Sequence, residues 1–282
     1  MSAESKLSGH GLKQSQSIVD LTLLVAEELP CAWSSHVPYQ QRTYNYFADN
    51  TKRAEAPLFS RVGPYQTRTL VIDEHTGTHF DAPAHFIPEP STGLPHAGEA
   101  GHTYANMVSL DQLSGPAAVI DVPADLPGGA NGVSPIIPVS VVEDFEKKHG
   151  RLQPNDVVLF RSNWDRFYLP GEPGKKYNYG PMILKSDHGW PAPDVEVMQL
   201  ILDRGIRCIG TDGSSMGPVH NGAPVHQLAL STGAVFIESL ANLKKLPDRG
   251  SWFMFAPLNL ARGTGAPGRA FAIVENNGNG VS

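Results

Sequence analysis

His75-Thr76-Gly77-Thr78-His79-Phe80-Asp81-Ala82-Pro83-Ala84-His85 places three imidazoles and one carboxylate within eleven residues. His75, His79, Asp81 and His85 all fall at odd positions, with Gly77 and Pro83 at the odd positions between them. Side chains alternate faces along an extended segment, so these four would share one face. A helix would not align them: Asp81, six residues past His75, would rotate onto the other side, and Gly77 and Pro83 both disfavour a continuous helix. A fully extended chain would still hold the His75 and His79 backbones about 13 Å apart, too far to share one ion, at ~3.3 Å of rise per residue. The chain is therefore expected to curl at Gly77, where glycine's access to positive φ has a use. With that turn, two neutral imidazole nitrogens and a carboxylate oxygen can meet one divalent cation. Such a set suits zinc, manganese or iron and leaves positions open for water and substrate. The stretch reads as a catalytic metal site, and the short strand expected over Thr69 to Ile72 delivers the chain into it.

With 282 residues, 40% of them hydrophobic, the chain can bury one large core. The formal charge of −6 and the lack of any lysine or arginine run argue for a small-molecule partner rather than nucleic acid. Met1 to Gln16 is polar without a secretory apolar segment, and Leu21 to Ala26 is too short to span a bilayer, so a soluble cytoplasmic protein is expected. Cys31 and Cys208 fit no disulfide or zinc-finger pattern and read as two unpaired thiols. The 28 glycines and 24 prolines imply many turns and long ordered loops.

Strands are expected over Ile18–Val25, Ala117–Val122, Val157–Phe160, Ile206–Ile209, Ala234–Ile237, Trp252–Ala256 and Ala270–Val274. Helices come singly between them. Asn106–Leu113 reads as a short one; Ser140 with Glu143 forms a capping box for another that Gly150 closes; Asp194 caps a third ending at Gly205. Pro30 to Gln66 reads as a long irregular loop carrying Trp33, Tyr39, Tyr44, Tyr46, Phe47 and Phe59. It could cover an apolar substrate, pack on another subunit, or pack on the chain's own sheet. Leu169 to Pro193 reads as a second long loop, while His96 and His102 lack partners at ligand spacing and belong to a surface loop. The layout is α/β with a mixed sheet: a polar tail over 1–17, one domain over 18–275 and a tail over 276–282.

His226, in an expected brief helical turn, and Glu238, ending an apolar strand, also stand out, since each is costly to bury unless paired or bound. Spacing alone gives no reason for either to approach His75; an exposed glutamate and a helix-capping histidine is the plainer reading.

The run His-x3-His-x-Asp-x-Pro-x-His resembles the signature of the cyclase family of metal-dependent hydrolases, which includes bacterial kynurenine formamidase and isatin hydrolase. Further similarity lies in Gly210-Thr211-Asp212, in His226 with Glu238 twelve residues on, in Leu240-Ala-Asn-Leu243, in Ala256-Pro257-Leu258 and in Pro267-Gly-Arg269-Ala270. The resemblance covers most of Ile18 to Val274 and implies a swivelling β/β/α fold and homo-oligomers, commonly dimers. It implies that His75, His79 and Asp81 bind the catalytic metal, here Mn2+ or Zn2+, that His85 transfers protons, and that His226 and Glu238 complete a second metal position or stand behind the ligands. A fourth metal ligand is the other reading of His85. The aromatic loop and the Leu169–Pro193 segment make this chain longer than the compact formamidases and closer to the isatin hydrolase branch.

The expected reaction is hydrolysis of a C–N amide bond, as in ring-opening of a cyclic amide, imide or lactam. The metal would acidify a water and polarise the carbonyl, and His85, with an ordinary pKa of about 6.5, would accept and return the proton. Arylformamidase activity on N-formylkynurenine is an alternative. Gly213-Ser-Ser215-Met-Gly217 matches a serine-hydrolase elbow, but no helix follows directly and no histidine lies beyond His226 to complete the expected order. A non-catalytic metal or small-molecule binding protein is the remaining reading.

Overall fold

The computed structural model describes residues 15–47 and 65–275. In chain order the elements are β1 (Gln16–Asp20), β2 (Gln40–Tyr46), β3 (Gln66–Val71), β4 (His79–Asp81), β5 (Ser114–Asp121), β6 (Ile136–Ile137), α1 (Val139–His149) and β7 (Val157–Arg161). They continue with β8 (Ala192–Pro193), α2 (Val195–Asp203), β9 (Cys208–Thr211), α3 (Ala223–Ser231), β10 (Val235–Glu238), β11 (Trp252–Pro257) and β12 (Gly265–Glu275).

Eight strands form one mixed sheet in the order β1-β12-β11-β5-β7-β9-β10-β4, and a further β12–β4 pairing closes it into a ring. Strands β5, β7, β9 and β10 run parallel, and the antiparallel β4, β11 and β12 complete the circle. The parallel strands are buried on both faces, which explains their nearly unbroken apolar sequence. Ala117, Val119, Val157, Leu159 and Ile237 face the ring interior with Phe80. Ala118, Ile120, Val158, Phe160 and Phe236 face outward and pack under α1, α2 and α3. Each large apolar side chain buried this way contributes about 1.5–3 kcal/mol. The expected α/β single domain with a mixed sheet is what the chain forms, and none of the described helices is long and apolar enough to cross a membrane.

Closure of the ring matters for function because β4 is held on both sides. It pairs with β10, Glu238 opposite His79, and with the start of β12, Gly265 opposite Asp81. Three residues of strand are thereby paired along both edges.

Several local expectations differ from the structure. The Pro30–Gln66 segment is not irregular throughout: β2 occupies part of it and pairs with β3 as an antiparallel ribbon, while Phe59 lies outside the described residues. The strand expected over Thr69–Ile72 starts earlier, at Gln66, and all six of its residues are exposed. β1 stops at Asp20 because its carboxylate accepts from Thr22 N, turning the chain so that Thr22 bridges Leu240. No capping box forms at Ser140: α1 begins two residues earlier, at Val139, with Pro138 at its N-cap and no side-chain cap. Asp194, by contrast, accepts from the backbone N–H groups of Glu196 and Val197. Asn106–Leu113 makes only a short 3-10 turn, Ala105–Met107. The expected tails lie outside the described residues over 1–14 and 276–282, while Gln16 and Ser17 of the first belong to β1 rather than to a tail.

Asp212, just past β9, is buried and accepts from Ser162 N, Ser162 Oγ and Asn163 N at 2.5–3.1 Å. These bonds hold Asn163 in the left-handed region at φ 56°. Burial pushes the carboxyl up to about 7, opposed by its Ser162 and Asn163 donors. Asp212→Ala leaves two backbone N–H groups without an acceptor, and a loss on the order of 3 kcal/mol is expected. An unchanged urea midpoint would show that the turn holds without it.

Candidate metal centre

The metal-site stretch is a turn, a three-residue strand and a 3-10 turn rather than one extended segment. Gly77 takes φ +62°, as its place in the sequence predicts. Its N–H donates to Cys31 O at 2.6 Å, and a Cβ there would meet Val25 Cγ2 at 2.9 Å. Alternation then holds only within β4: His79 and Asp81 point to the site while Phe80 points into the ring. His75 reaches the site from the turn before Gly77, and His85 from the 3-10 turn Pro83–His85. The His75 ring lies edge-on to His79, centroids 5.0 Å apart, and stacks on His85 at 4.0 Å.

His226 and Glu238 also belong here. His226 is inside α3 rather than at its start, and both residues are only 4% exposed. Two groups of donors result, each with its ligand atoms within 4.8 Å of one another: His75, His79 and Asp81, and Asp81, His226 and Glu238. Asp81 is common to both, and His85 is in neither.

The hydrogen bonds set which lone pairs face inward. His79 Nδ1 lies 2.8 Å from Gly77 O and His226 Nδ1 2.9 Å from Gly222 O. A carbonyl only accepts, so each Nδ1 carries the proton and a neutral ring turns an unprotonated Nε2 to the centre. There His79 Nε2 lies 3.5 Å from Asp81 Oδ1 and 3.6 Å from Glu238 Oε2. His226 Nε2 lies 3.2 Å from Glu238 Oε1 and 3.7 Å from Asp81 Oδ2. Asp81 Oδ2 is buried without a hydrogen-bond partner. Lone pairs converging on an orphaned, buried carboxylate oxygen fit a divalent cation, which would satisfy all of them at once.

Charge balance in the protein alone tells the same story. Burial opposes protonation of His79, yet its bond to Asp81 and the charges of Asp81 and Glu238 raise its pKa to about 9. Burial opposes protonation of His226 too, and Glu238 and Asp81 outweigh it. Asp81, despite its burial, is held well below the usual carboxylate range by His85, His75 and His79. The site calls for positive charge. His85 behaves differently: burial pushes it down to about 3, against the pull of Asp81 and with the other three imidazoles adding to the depression.

Above these donors sits a cavity of about 310 Å3, walled by Trp33, Phe86, Met182, Trp190 and Val219. Trp33 meets Trp190 edge to face, centroids 6.2 Å apart, and Phe86 stacks on His226 at 4.4 Å. The start of the aromatic segment therefore lines the site. His36 also lines it, its Nδ1 3.3 Å from Asp73 Oδ1. Sequence reasoning passed over His36, Met182 and Phe86; the one available signal was that Trp33 and Trp190 both fell in long loops of a chain otherwise rich in strands.

Ser215 also lines the cavity, with Oγ donating to Glu238 Oε1 at 3.1 Å and lying 3.4 Å from His226 Nε2. This is not a catalytic triad. There the acid holds Nδ1 of the histidine, whereas here Nδ1 is engaged by Gly222 O and the carboxylate sits on the Nε2 side. Met216 N donates to the same Glu238 oxygen at 2.6 Å, so the elbow-like sequence serves to hold Glu238.

The model of the cyclase family, described as "Putative cyclase", matches residues 19–218. The chain belongs to the cyclase family. The isatin hydrolase of Roseibium aggregatum is 30% identical to it over 289 residues, covering 97% of this chain and 99% of that one. A kynurenine formamidase of Salinibacter ruber is 26% identical over 204 residues, covering 72% and 77%. The solved structure of isatin hydrolase A from Labrenzia aggregata, bound to benzyl benzoate, matches with a TM-score of 0.73 at 25% identity, over 93% of this chain and 94% of that one. The expectation of a hydrolase acting on carbon–nitrogen bonds other than peptide bonds holds at the level of this cyclase family, with a His, Asp and Glu site able to bind a metal.

Proposed function

We propose that this cyclase-family chain opens a cyclic amide, imide or lactam by metal-dependent hydrolysis, with a flat, largely apolar substrate. The observation that carries this reading is the placement of the donor cluster at the floor of a cavity walled by Trp33, Phe86 and Trp190. Aromatic walls favour a planar ring. The similarity to an isatin hydrolase over nearly the whole of both chains supports the same choice.

His75, His79 and Asp81 would hold the catalytic ion, and Asp81, His226 and Glu238 offer a second position. When bound, a divalent cation supplies Lewis acidity, which acidifies water and polarises a carbonyl. His85 lines the cavity, lies in neither donor group and so keeps a ring lone pair available. It takes the proton of the attacking water as the new C–O bond forms. It returns that proton to the nitrogen as the C–N bond breaks, so water is added across the amide and no covalent enzyme intermediate arises. The aromatic walls position the ring and keep bulk water from the carbonyl.

The test is turnover of isatin, N-formylkynurenine and a simple γ-lactam with Mn2+ or Zn2+ added. Isatin or lactam opening is expected, abolished by a chelator. Hydrolysis of N-formylkynurenine alone would move the assignment to an arylformamidase, and metal uptake without any turnover to a binding protein. Ser215→Ala is expected to keep activity within about tenfold, as loss of one hydrogen bond to Glu238 costs on the order of 1 kcal/mol. Loss of all turnover in that variant, with metal still bound, would restore the serine nucleophile.

A further inference from the structure

His75 differs from the other two histidines that could hold the ion. Its Nδ1 faces the centre, 2.9 Å from Asp81 Oδ1, and its Nε2 lies 3.2 Å from Thr264 Oγ1. Thr264 Oγ1 in turn lies 2.8 Å from Glu74 Oε2, which also accepts from Thr264 N at 2.8 Å. An ionised carboxylate cannot donate, so the threonine hydroxyl spends its proton on Glu74 and offers His75 only lone pairs. Nε2 must then carry the imidazole proton, and in the neutral ring, the form that binds a metal, Nδ1 is left bare toward Asp81 Oδ1. Two lone pairs facing each other at that distance repel unless a cation lies between them.

We propose that Glu74 and Thr264 are positioning residues that select the Nε2–H form of His75 and so present Nδ1 to the metal. This rests on the metal-site reading above. Thr264 opens the turn into β12, whose Gly265 pairs with Asp81. A Cβ on Gly265 would lie 2.6 Å from His75 Cε1, so only glycine lets the ring lie flat against this strand. Glu74 and Thr264 are neighbours because β12 closes the ring against β4; they are distant in the chain and match no ligand spacing. The competing arrangement, Nδ1–H donating to Asp81, would set the Thr264 hydroxyl between two acceptors and leave one unsatisfied.

Calorimetric titration of the metal-free full chain with Mn2+ tests this, with the visible spectrum of the Co2+ form as a second readout. Thr264→Val and Glu74→Ala are each expected to weaken Mn2+ binding about 10- to 100-fold and to change the Co2+ spectrum. Thr264→Ser, which keeps the hydroxyl, is expected to match wild type in both. Urea midpoints separate a folding defect from a change at the metal. Wild-type affinity and spectrum in folded Thr264→Val would overturn the proposal, as would equal losses in the serine and valine variants. A wild-type chain that binds no Mn2+ at all would instead remove the metal-site reading itself.

Discussion

His79→Ala is expected to remove both metal and activity. The Nε2 of His79 lies within 3.6 Å of both Asp81 and Glu238, between the two donor groups, so its loss affects either ion position. Its removal also leaves two buried carboxylates facing each other with less positive charge between them. Supporting partners of metal ligands are worth about 10- to 100-fold in affinity, and a ligand itself should exceed that. Elemental analysis of the purified variant, beside wild type prepared identically, gives the answer. A folded His79→Ala protein with full metal content would contradict the site. Because Phe80 and the β4 pairings remain, the variant should keep the fold.

His85→Ala is expected to separate binding from chemistry. His85 is in neither donor group, although its ring stacks on His75 at 4.0 Å. Metal content should stay near the wild-type level while turnover falls by about 100- to 10,000-fold, the usual cost of losing a general acid–base group. Single-turnover rates beside elemental analysis make the comparison. Loss of the metal with the rate would reassign His85 as a ligand, the alternative its place in the motif left open.

The two variants probe residues of quite different legibility. His79 and Asp81 were readable because strand alternation acts over two residues, and the bend at Gly77 because only a positive φ could shorten the gap to His75. Likewise, Asp194 revealed a helix start through the short reach of its carboxylate. Ser140 misled because the capping pattern takes no account of Pro138, whose fixed φ allows the helix to begin two residues sooner. Strand β2 was hidden within a stretch rich in aromatic and polar residues, where no alternation of buried and exposed positions marks it, although part of its partner β3 was read over Thr69–Ile72.

What the sequence alone determined was the local chemistry: a bent ribbon of imidazole and carboxylate, a set of apolar strands buried on both faces, and, by resemblance, the family. Only the tertiary structure decided that Glu238 stands opposite His79, that Thr264 and Glu74 support His75, and that Trp33 and Trp190 wall one cavity. The physical reason is closure of the sheet. Backbone pairing of β4 with β10 and β12 carries partners across long stretches of chain, and residue spacing along a sequence holds no record of which strand edges will meet.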